Sequence, residues 1–563
     1  MYEKTIASLD TAVARIILDQ VLDQDRPDFG GYFQPQQGFA GPSHVGNASF
    51  IQSLALAYLA PESLYHEDTN ILERLLHSIR FQERSTRDTG FVDIPHTNFD
   101  SPPDTGFVLQ QLGSVSHLLA RSPDVAGVGQ VDAVLTPYLR NCASAVAGGG
   151  FHTPNHRWVV ASGLALVHAL HPDPALESAI DAYLAEGIDL SPDGEYSERS
   201  AGGYNAVINR SLILIAESIG RSDMLDCARK SLDTMLTFLQ PDWTILTALS
   251  RRQDKGMRRV PTNCIDSFYY LACLDGDEHL SAATHALFDR GGHTNAWLAY
   301  MMGIHPEWRD SPSVKGQVES SYSRHLPHSG VWRVRRDDMA ATAATGIEGF
   351  LSLTYGEAIL QGMRVHAPYF AGASFTARSL DVSGNVAKLT LGSNFLLPQL
   401  PGYWLPLNRP VAWEDLPHEI LHERDQLPRP EFEVDATITE VDGGFDVHLA
   451  TRGGMDHVPF QIEFLFDAPG RVELPEASID AAVGGSLFLN SGTMIYRVGA
   501  DAITIGPGLR GHRSIYPIAG EGFRVYATTW SPVDHAMEIR YHRWSEAEGP
   551  YPSPGAPAEL HHD

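Results

Sequence analysis

Three polar residues stand together in the stretch GGGFHTPNHRWVVASGLALVHAL, just before a long apolar run. Asn155, His156 and Arg157 follow a Thr-Pro pair, which is typical of a helix start. An amide and a guanidinium can neutralise an anion, and an imidazole can move a proton. Polar residues at a helix start also satisfy free backbone groups, so the triplet alone does not decide between chemistry and capping.

A second group of polar residues lies in SPDGEYSERSAGGYNAVINRSL, about one helical hairpin further along the chain. Tyr204 and Asn205 follow two glycines at a predicted helix start. Arg199 precedes them, and Arg210 lies within the helix. A tyrosine that faces His156 would form an acid–base pair. A neighbouring arginine (Arg199, Arg210 or Arg157) would lower the tyrosine pKa.

Six segments that each carry an asparagine with a histidine or aromatic neighbour precede apolar helical runs. They recur at intervals of roughly 50 residues, the last nearer 30, which is the length of a helical hairpin with its loops. Six hairpins closed in a ring form an (α/α)6 toroid, in which all inner helices start at one mouth. The asparagines are Asn47, Asn98, Asn155, Asn205, Asn263 and Asn295.

Four further residues of these segments are candidates for sugar binding. Asn98 and Asp104 lie in HTNFDSPPDTGF, and His293 and Trp297 lie in GGHTNAWLAY. An aromatic ring offers a stacking surface, and the polar groups offer hydrogen bonds. Helix capping and core packing explain the same residues equally well.

The sequence pattern changes near residue 320. Before this point apolar residues recur at helical spacing, and after it segments such as FEVDATITEV and FQIEFLF alternate like strands. This predicts a helical toroid over 1–320 and an antiparallel β-sandwich over 321–545. The Pro- and Gly-rich end, 546–563, is predicted to be a loose tail.

Composition excludes several classes of function. The chain of 563 residues has a formal charge of −28, which argues against nucleic-acid binding. No apolar run reaches membrane-spanning length, so no membrane partner is expected. The first residues lack the features of a signal peptide, which predicts a cytoplasmic location. An anionic ligand would need a local basic pocket.

Asn155-His156 at a helix start, the DGEYSERSAGGYN segment and a sandwich after a toroid together resemble the heparinase II/III-like superfamily of polysaccharide lyases. A weaker similarity lies in HSGVWRVRRDDM, where the sandwich would begin. The resemblance implies that Asn155 neutralises a uronate carboxylate, while His156 and Tyr204 exchange protons. It also implies a sandwich histidine in the cleft, for which His328 and His366 are the candidates.

The resemblance implies β-elimination in a uronate-containing oligo- or polysaccharide. Tyr204 is expected to be the acid. Whether Tyr204 or His156 is the base depends on the stereochemistry of the sugar. A cytoplasmic lyase would meet imported oligosaccharides, so exo-action is expected.

Two other classes of function stay open. An (α/α)6 glycoside hydrolase would use paired carboxylates chosen from Asp100, Asp104, Glu195 and Glu198. A non-catalytic carbohydrate-binding protein would bind without turnover.

The sequence requires no cofactor. His418 and His422 form an HEILH pattern with the spacing of a zinc-binding helix, but the surrounding sequence is unlike a metalloprotease. A structural divalent metal in the sandwich stays open, as does a homo-oligomer.

Overall fold

A computed structural model of the chain describes residues 1–41, 44–94, 97–313, 316–369, 372–395, 402–415, 421–428, 431–516 and 521–545. The chain divides into two compact units. The helical unit comprises Met1–Leu239 and Trp243–Glu319, and the sheet unit comprises Gln240–Asp242 and the chain from Ser320 onward. The predicted tail, 546–563, lies outside the described residues.

The helical unit contains twelve α-helices and one short hairpin within its described residues. The helices are α1 (Tyr2–Asp19), α2 (His44–Leu59), α3 (Thr69–Ser85), α4 (Pro102–Arg121), α5 (Val128–Ala147), α6 (Pro154–Leu170), α7 (Pro174–Ala185), α8 (Tyr204–Ile219), α9 (Asp223–Phe238), α10 (Ile265–Asp275), α11 (Glu278–Asp289) and α12 (Ala296–Ile304). The hairpin pairs β1 (Val92–Ile94) with β2 (Asn98–Ser101).

The even-numbered helices form an inner ring. Each packs against the next, from α2 through α4, α6, α8 and α10 to α12, and α12 packs against α2. Each odd-numbered helix packs outside an even-numbered one, and α1 contacts both α12 and α2. Helices such as α6 and α8 are buried on nearly all sides, which explains their continuous apolar sequences.

Contacts at both ends show that the inner helices run in the same direction. At the amino-terminal ends, Asn295 Nδ2 donates to the Thr262 carbonyl at 3.3 Å, and Asn263 Nδ2 donates to the Gly203 carbonyl at 3.2 Å. At the opposite ends, His305 after α12 lies 3.5 Å from Glu217 of α8. The amino-terminal ends of the inner helices therefore share one opening of the ring.

The sheet unit is built from strands in one hydrogen-bonded network and a separate pair, β10–β11. The strands are β3 (Ser321–Leu326), β4 (Val331–Arg336), β5 (Met339–Ala344), β6 (Leu351–Tyr355), β7 (Ala358–Tyr369), β8 (Gly372–Ser383), β9 (Val386–Phe395), β10 (Gly402–Trp404), β11 (Gln426–Pro428), β12 (Phe432–Val441), β13 (Gly444–Gly453), β14 (Pro459–Phe466), β15 (Gly470–Leu474), β16 (Ala477–Ala481), β17 (Ser486–Phe488), β18 (Met494–Val498), β19 (Asp501–Gly506), β20 (Phe523–Trp530) and β21 (Asp534–Arg543).

The strand ladders are antiparallel except for β17 with β20. Alternate residues of β12 are buried, as the period-two pattern of the sequence predicts. Strand β7 also contacts β18 and β19, with which it forms no ladder, so two layers of the sheet face each other. One large apolar core fills the space between strands from β4 to β21.

The predicted order of helices followed by strands is confirmed. Each of the six asparagine-bearing segments lies at the start of an inner helix, from α2 to α12. No helix among the described residues is both long enough and apolar enough to cross a membrane.

Candidate active site

The first turns of α6 and α8 place the residues best suited to catalysis at the same opening of the ring. Asn155 and His156 follow Pro154, the first residue of α6, and Tyr204 is the first residue of α8. These inner helices pack directly against each other. Asn155 is fully buried, whereas His156 and Tyr204 are half-buried and open to a ligand.

The Asn155 side chain is held by two partners. Its Nδ2 donates to Thr153 Oγ1 at 2.9 Å and to both carboxylate oxygens of Glu198 at 2.9 Å. Thr153 therefore occupies the N-cap position, but its hydroxyl accepts from Asn155 and makes no capping hydrogen bond. The buried Asn155 Oδ1 has no hydrogen-bond partner. Both amide hydrogens are committed in the unliganded protein.

Arg252 is the cation beside Tyr204. Its guanidinium carbon lies 4.6 Å from the centre of the Tyr204 ring, and its Nε lies 3.6 Å from a Glu198 carboxylate oxygen. A guanidinium over a phenol ring is attracted by the ring electrons. Arg252 thus connects the α8 tyrosine with the Asn155–Glu198 pair.

Two loops are tied together to hold this arrangement. Asp254 accepts a hydrogen bond from Ser200 Oγ at 2.8 Å and another from the Gly202 amide at 3.1 Å. Ser200 Oγ in turn accepts from the Tyr204 amide at 3.0 Å. The loop before α8 and the loop that carries Arg252 are therefore fixed against each other at the position of the tyrosine.

His156 has an environment that favours its neutral form. Burial lowers its pKa to about 4, and the charges of His152 and Arg252 act in the same direction, against the opposing charge of Asp104. Its Nδ1 is buried and has no hydrogen-bond partner. A neutral imidazole with a free ring nitrogen can accept a proton.

Asp104 forms the α4 side of the site. Asn98 Nδ2 donates to Asp104 Oδ2 at 3.1 Å, and Ser101 Oγ donates to the same oxygen. The N-cap of α4 is Ser101, which accepts from the Asp104 amide at 3.3 Å. Asp104 is therefore a first-turn residue rather than the cap. The Asn98–Asp104 pair lies near enough to His156 for the Asp104 charge to raise its pKa.

The buried carboxyl of Glu198 is the second ionisable group with an altered pKa. Burial raises its pKa, while the hydrogen bond from Asn155 and the charge of Arg252 oppose the rise. The site thus combines a neutral imidazole, a phenol under a guanidinium and a carboxyl group that resists ionisation. This set can remove one proton, deliver another and neutralise an anion.

The three predicted arginines form ion pairs within the helical unit. Arg157 lies 2.8 Å from Glu186 and 3.3 Å from Asp189. Arg199 lies 3.0 Å from Glu195, and Arg210 forms a two-pronged pair with Asp266 at 2.8 and 3.0 Å. Their contact with a substrate stays a prediction, and the arginine over the Tyr204 ring is Arg252.

Two of the residues predicted to bind sugar, Trp297 and His293, contact other groups of the protein. Trp297 is only 8% exposed, and the Arg210 guanidinium lies 4.8 Å from its ring centre. His293 Nδ1 lies 3.0 Å from the Phe288 carbonyl oxygen. Asn205 is buried beside Tyr204, and its Oδ1 has no hydrogen-bond partner. A role in substrate binding stays a prediction for all three.

The two candidate histidines of the sheet unit differ in exposure. His328 is exposed in the turn between β3 and β4. His366 on β7 is fully buried and lies 3.6 Å from Glu463 of β14. A role for either histidine in the cleft stays a prediction.

The described residues contain no cluster of side chains for the metal ion that the sequence leaves open. His418 lies outside the described residues, and His422 and Glu423 are exposed, with Glu423 paired to Arg409. Across the described ranges, no group of three or more His, Cys, Asp or Glu side chains is arranged to hold a metal ion.

Sequence reasoning missed Arg252 altogether. Its only signal was the basic run RRQDKGMRR in a strongly acidic chain. Glu198 was considered only as a hydrolase carboxylate, although its main contact is the amide of Asn155. Both residues reach the site from irregular loops, where sequence periodicity carries no positional information.

No protein-family model matches the chain, and no curated protein matches it. Solved structures do match. The xanthan lyase of Paenibacillus has a TM-score of 0.62 at 9% identity, over 96% of this chain and 58% of the lyase. The chondroitin AC lyase of Streptomyces coelicolor A3, in complex with chondroitin sulphate, has a TM-score of 0.55 at 12% identity, over 97% of this chain and 80% of that enzyme.

The chain therefore spans less than two thirds of the length of the xanthan lyase. The alignment nevertheless covers 96% of the chain itself. At this level of identity the likeness concerns the fold. The chain has the fold of these polysaccharide lyases, a helical domain followed by a large antiparallel sheet.

Proposed function

We propose that this protein is a lyase that cleaves a uronate-containing glycan by β-elimination, in a helical domain that is an (α/α)6 toroid. The observation that carries the proposal is the cluster of His156, Tyr204 and Arg252 at the opening where the inner helices begin. The polysaccharide-lyase fold supports it independently. The resemblance of the Asn-His and Tyr-Asn segments to heparinase II/III-like lyases supports assigning the chemistry to Asn155, His156 and Tyr204.

The reaction assigns one task to each group. The base removes the proton on C5 of the uronate, the electron pair forms the C4–C5 double bond, and the C4–O bond breaks. Tyr204 gives its proton to the departing oxygen. His156, which burial keeps neutral, is the base when the C5 proton and the leaving group lie on opposite faces of the sugar. Tyr204 serves as both base and acid when they lie on one face.

The uronate carboxylate needs a neutralising partner because negative charge develops next to it when C5 loses its proton. Arg252 supplies a positive charge between Tyr204 and Glu198. Asn155 supplies an amide donor, but its hydrogens are held by Thr153 and Glu198. The substrate carboxylate therefore replaces Glu198 at Asn155 when it binds.

Ultraviolet absorbance during incubation with a panel of uronate oligosaccharides tests the proposal, because each elimination creates a conjugated double bond. Wild-type protein should raise the absorbance with at least one substrate. The Tyr204→Phe variant should lower kcat by about 10²- to 10⁴-fold through the loss of the acid. Early products of one small size would show exo-action, and early loss of viscosity with a polymer would show internal cleavage.

Tyr269→Phe provides the matched control. Tyr269 lies on the inner helix α10 and donates its hydroxyl to the Trp308 carbonyl at 2.8 Å, away from the start of the helix. This variant also loses one phenolic hydroxyl and should keep its turnover. Equal losses in both tyrosine variants would remove Tyr204 from the reaction.

One observation favours glycoside hydrolysis as the second candidate. The raised pKa of Glu198 suits a general acid, and Asp104 in the first turn of α4 is a second carboxylate at the same opening of the ring. Hydrolysis would release reducing ends without a rise in ultraviolet absorbance, and Glu198→Gln would abolish it. Binding of oligosaccharides without either signal would indicate a carbohydrate-binding protein.

A further inference from the structure

A second cavity opens at the start of α2, outside the cluster of catalytic candidates. Its volume is about 440 Å³, within the range of small-ligand sites. The end of α1, the segment around Phe33 and the first turns of α2 form its walls. Because α2 belongs to the inner ring, the cavity lies at the same end of the ring as His156 and Tyr204.

Aromatic rings form much of the wall. Tyr32 and Phe50 are packed with ring centres 4.1 Å apart, and Phe33 is 36% exposed at the cavity. The Tyr32 hydroxyl is engaged with Ser78 Oγ at 3.1 Å, so this residue offers its ring rather than its hydroxyl. Flat apolar surfaces of this kind suit the C–H face of a sugar ring.

The α2 wall is a stripe of small and polar residues next to Phe50. Ser49 and Ser53 stand four residues apart, so they lie on one face of the helix, where Ser53 Oγ donates to the Ser49 carbonyl at 3.0 Å. Small side chains leave room for a ligand against the helix. The hydroxyl oxygens of both residues also have lone pairs available to a sugar hydroxyl.

Asn47 carries an acceptor that has no hydrogen-bond partner among the residues that the structure describes. The residue is 4% exposed, and its Nδ2 donates to Gln82 Oε1 at 2.8 Å and to the Ser78 carbonyl at 3.3 Å. These two bonds fix the orientation of the amide. Its buried Oδ1, which has no hydrogen-bond partner, belongs to a residue that lines the cavity. A ligand hydroxyl would relieve this unsatisfied carbonyl.

The charged side chains that line the cavity have no net charge. Arg15 and Asp19, both exposed on α1, contribute one charge of each sign. The cavity therefore lacks the excess of positive charge that an acidic sugar would need, in contrast to the Arg252 site.

We propose that this cavity binds an uncharged sugar ring, stacked on Phe33 and Phe50 with one hydroxyl donated to Asn47 Oδ1. That the ring belongs to the same glycan as the reacting uronate rests on the proposed function. The substrate class would then be a heteroglycan with neutral and acidic sugars. Binding at the cavity itself requires no chemistry at Tyr204.

Saturation-transfer NMR on the full-length Tyr204→Phe protein tests the binding without turnover. The probes are D-glucose, D-galactose, D-mannose and N-acetyl-D-glucosamine, with D-glucuronate as the charged comparison. At least one neutral sugar should show transfer, and its binding, unlike that of D-glucuronate at the Arg252 site, should depend on the residues of the cavity. Asn47→Ala and Phe33→Ala, each added to this protein, should weaken binding by about five- to tenfold, the effect expected for one lost hydrogen bond or ring contact.

Phe39→Ala is the matched control, since Phe39 is 47% exposed on the same segment but does not line the cavity. It should leave binding unchanged. Phe33 is partly exposed, so its replacement keeps the test valid if Asn47→Ala unfolds. The proposal fails if no neutral sugar shows transfer, if Phe33→Ala binds as well as Phe39→Ala, or if Phe33→Ala weakens D-glucuronate binding as much as neutral-sugar binding. Turnover on uronates with no sugar bound here would refute this site and leave the lyase proposal standing.

Discussion

At the scale of single residues, His156 lies in surroundings that strongly disfavour its charged form. Burial lowers its pKa to about 4, although Asp104 acts against this. At neutral pH it is therefore a proton acceptor and contributes no positive charge. The cationic role in the site falls to the Arg252 guanidinium, beside Tyr204 and Glu198.

The first prediction concerns this titration. The His156 ring should titrate near pH 4 in ¹⁵N NMR spectra of histidine-labelled protein, well below the ordinary histidine value of about 6.5. A base acts in its neutral form, so any activity that depends on His156 should fall as the pH drops through about 4. A His156 midpoint near 6.5 would contradict the burial argument.

The second prediction concerns Glu198, whose pKa is raised by burial. A raised pKa means that the folded state binds the proton more tightly, so the carboxyl costs stability as the pH rises from about 4.3 through the folded pKa. Glu198→Gln keeps an acceptor for Asn155 without the charge. Its melting temperature should exceed that of wild type at pH 7, and the difference should shrink toward pH 4.

Glu186→Gln is the control for this comparison, because Glu186 also pairs with an arginine, Arg157, but its side chain is 51% exposed. Exposed pairs contribute little, so this variant should follow wild type across the same pH range. A Glu198→Gln protein less stable than wild type at pH 7 would mean that the ion pair with Arg252 outweighs the burial of the carboxyl.

The residues of the site differ in how far the sequence could predict them. Asn155, His156 and Tyr204 stand at helix starts, where glycine, proline and apolar periodicity locate them from local sequence alone. Arg252 could not be located in this way. Its position depends on Asp254 reaching Ser200 across 54 residues of chain, a tertiary contact without a local signal.

At the scale of elements, the two ends of the inner helices have different contacts. The starts carry the candidate site, while the ends are joined by ion pairs. His305 after α12 lies 3.5 Å from Glu217 of α8, and Tyr270 of α10 donates its hydroxyl to the same carboxylate. His305 also stacks on Trp308, with ring centres 3.9 Å apart. This cluster ties three inner helices together at one end of the ring.

The third prediction follows from the titration of that cluster. Burial lowers the pKa of His305, but the nearby carboxylates of Glu217 and Glu307 outweigh it and raise the pKa overall. A histidine of this kind stabilises fully below its unfolded value of about 6.5, and the contribution is lost as the pH rises through the folded pKa. The melting-temperature difference between wild type and Glu217→Gln should therefore be largest near pH 5.5 and small at pH 9.

Glu307→Gln tests whether the effect belongs to the helix contact. Glu307 lies 3.0 Å from His305, but its side chain is 61% exposed and only two residues away along the chain. Its replacement should shift the melting temperature much less. The same loss for Glu217→Gln at pH 5.5 and at pH 9 would show that the charge of His305 contributes nothing to the contact.

At the scale of the whole molecule, the order of the two domains could be predicted because periodicities of 3.6 and 2 differ plainly in the sequence. The polar groups buried inside the sheet unit could not be predicted from the sequence. Glu463 of β14 is fully buried, 3.3 Å from Arg364 and 3.6 Å from Arg524. The alternating run FQIEFLF predicts a strand but not that its polar face is buried, nor its partners, since β7 and β20 come from distant parts of the chain.

The last prediction concerns the charge of −28. An anionic glycan approaches a molecule that repels it overall, while Arg252 attracts it only at short range. Salt screens the long-range repulsion over about 10 Å at 0.1 M. On the proposed function, kcat/KM for a uronate oligosaccharide should rise by roughly two- to threefold between about 0.01 M and 0.15 M NaCl. The methyl ester of the same oligosaccharide, which is uncharged, should show no such rise. A fall in kcat/KM with salt for the anionic substrate alone would mean that attraction near Arg252 outweighs the charge of the whole molecule along the path of approach.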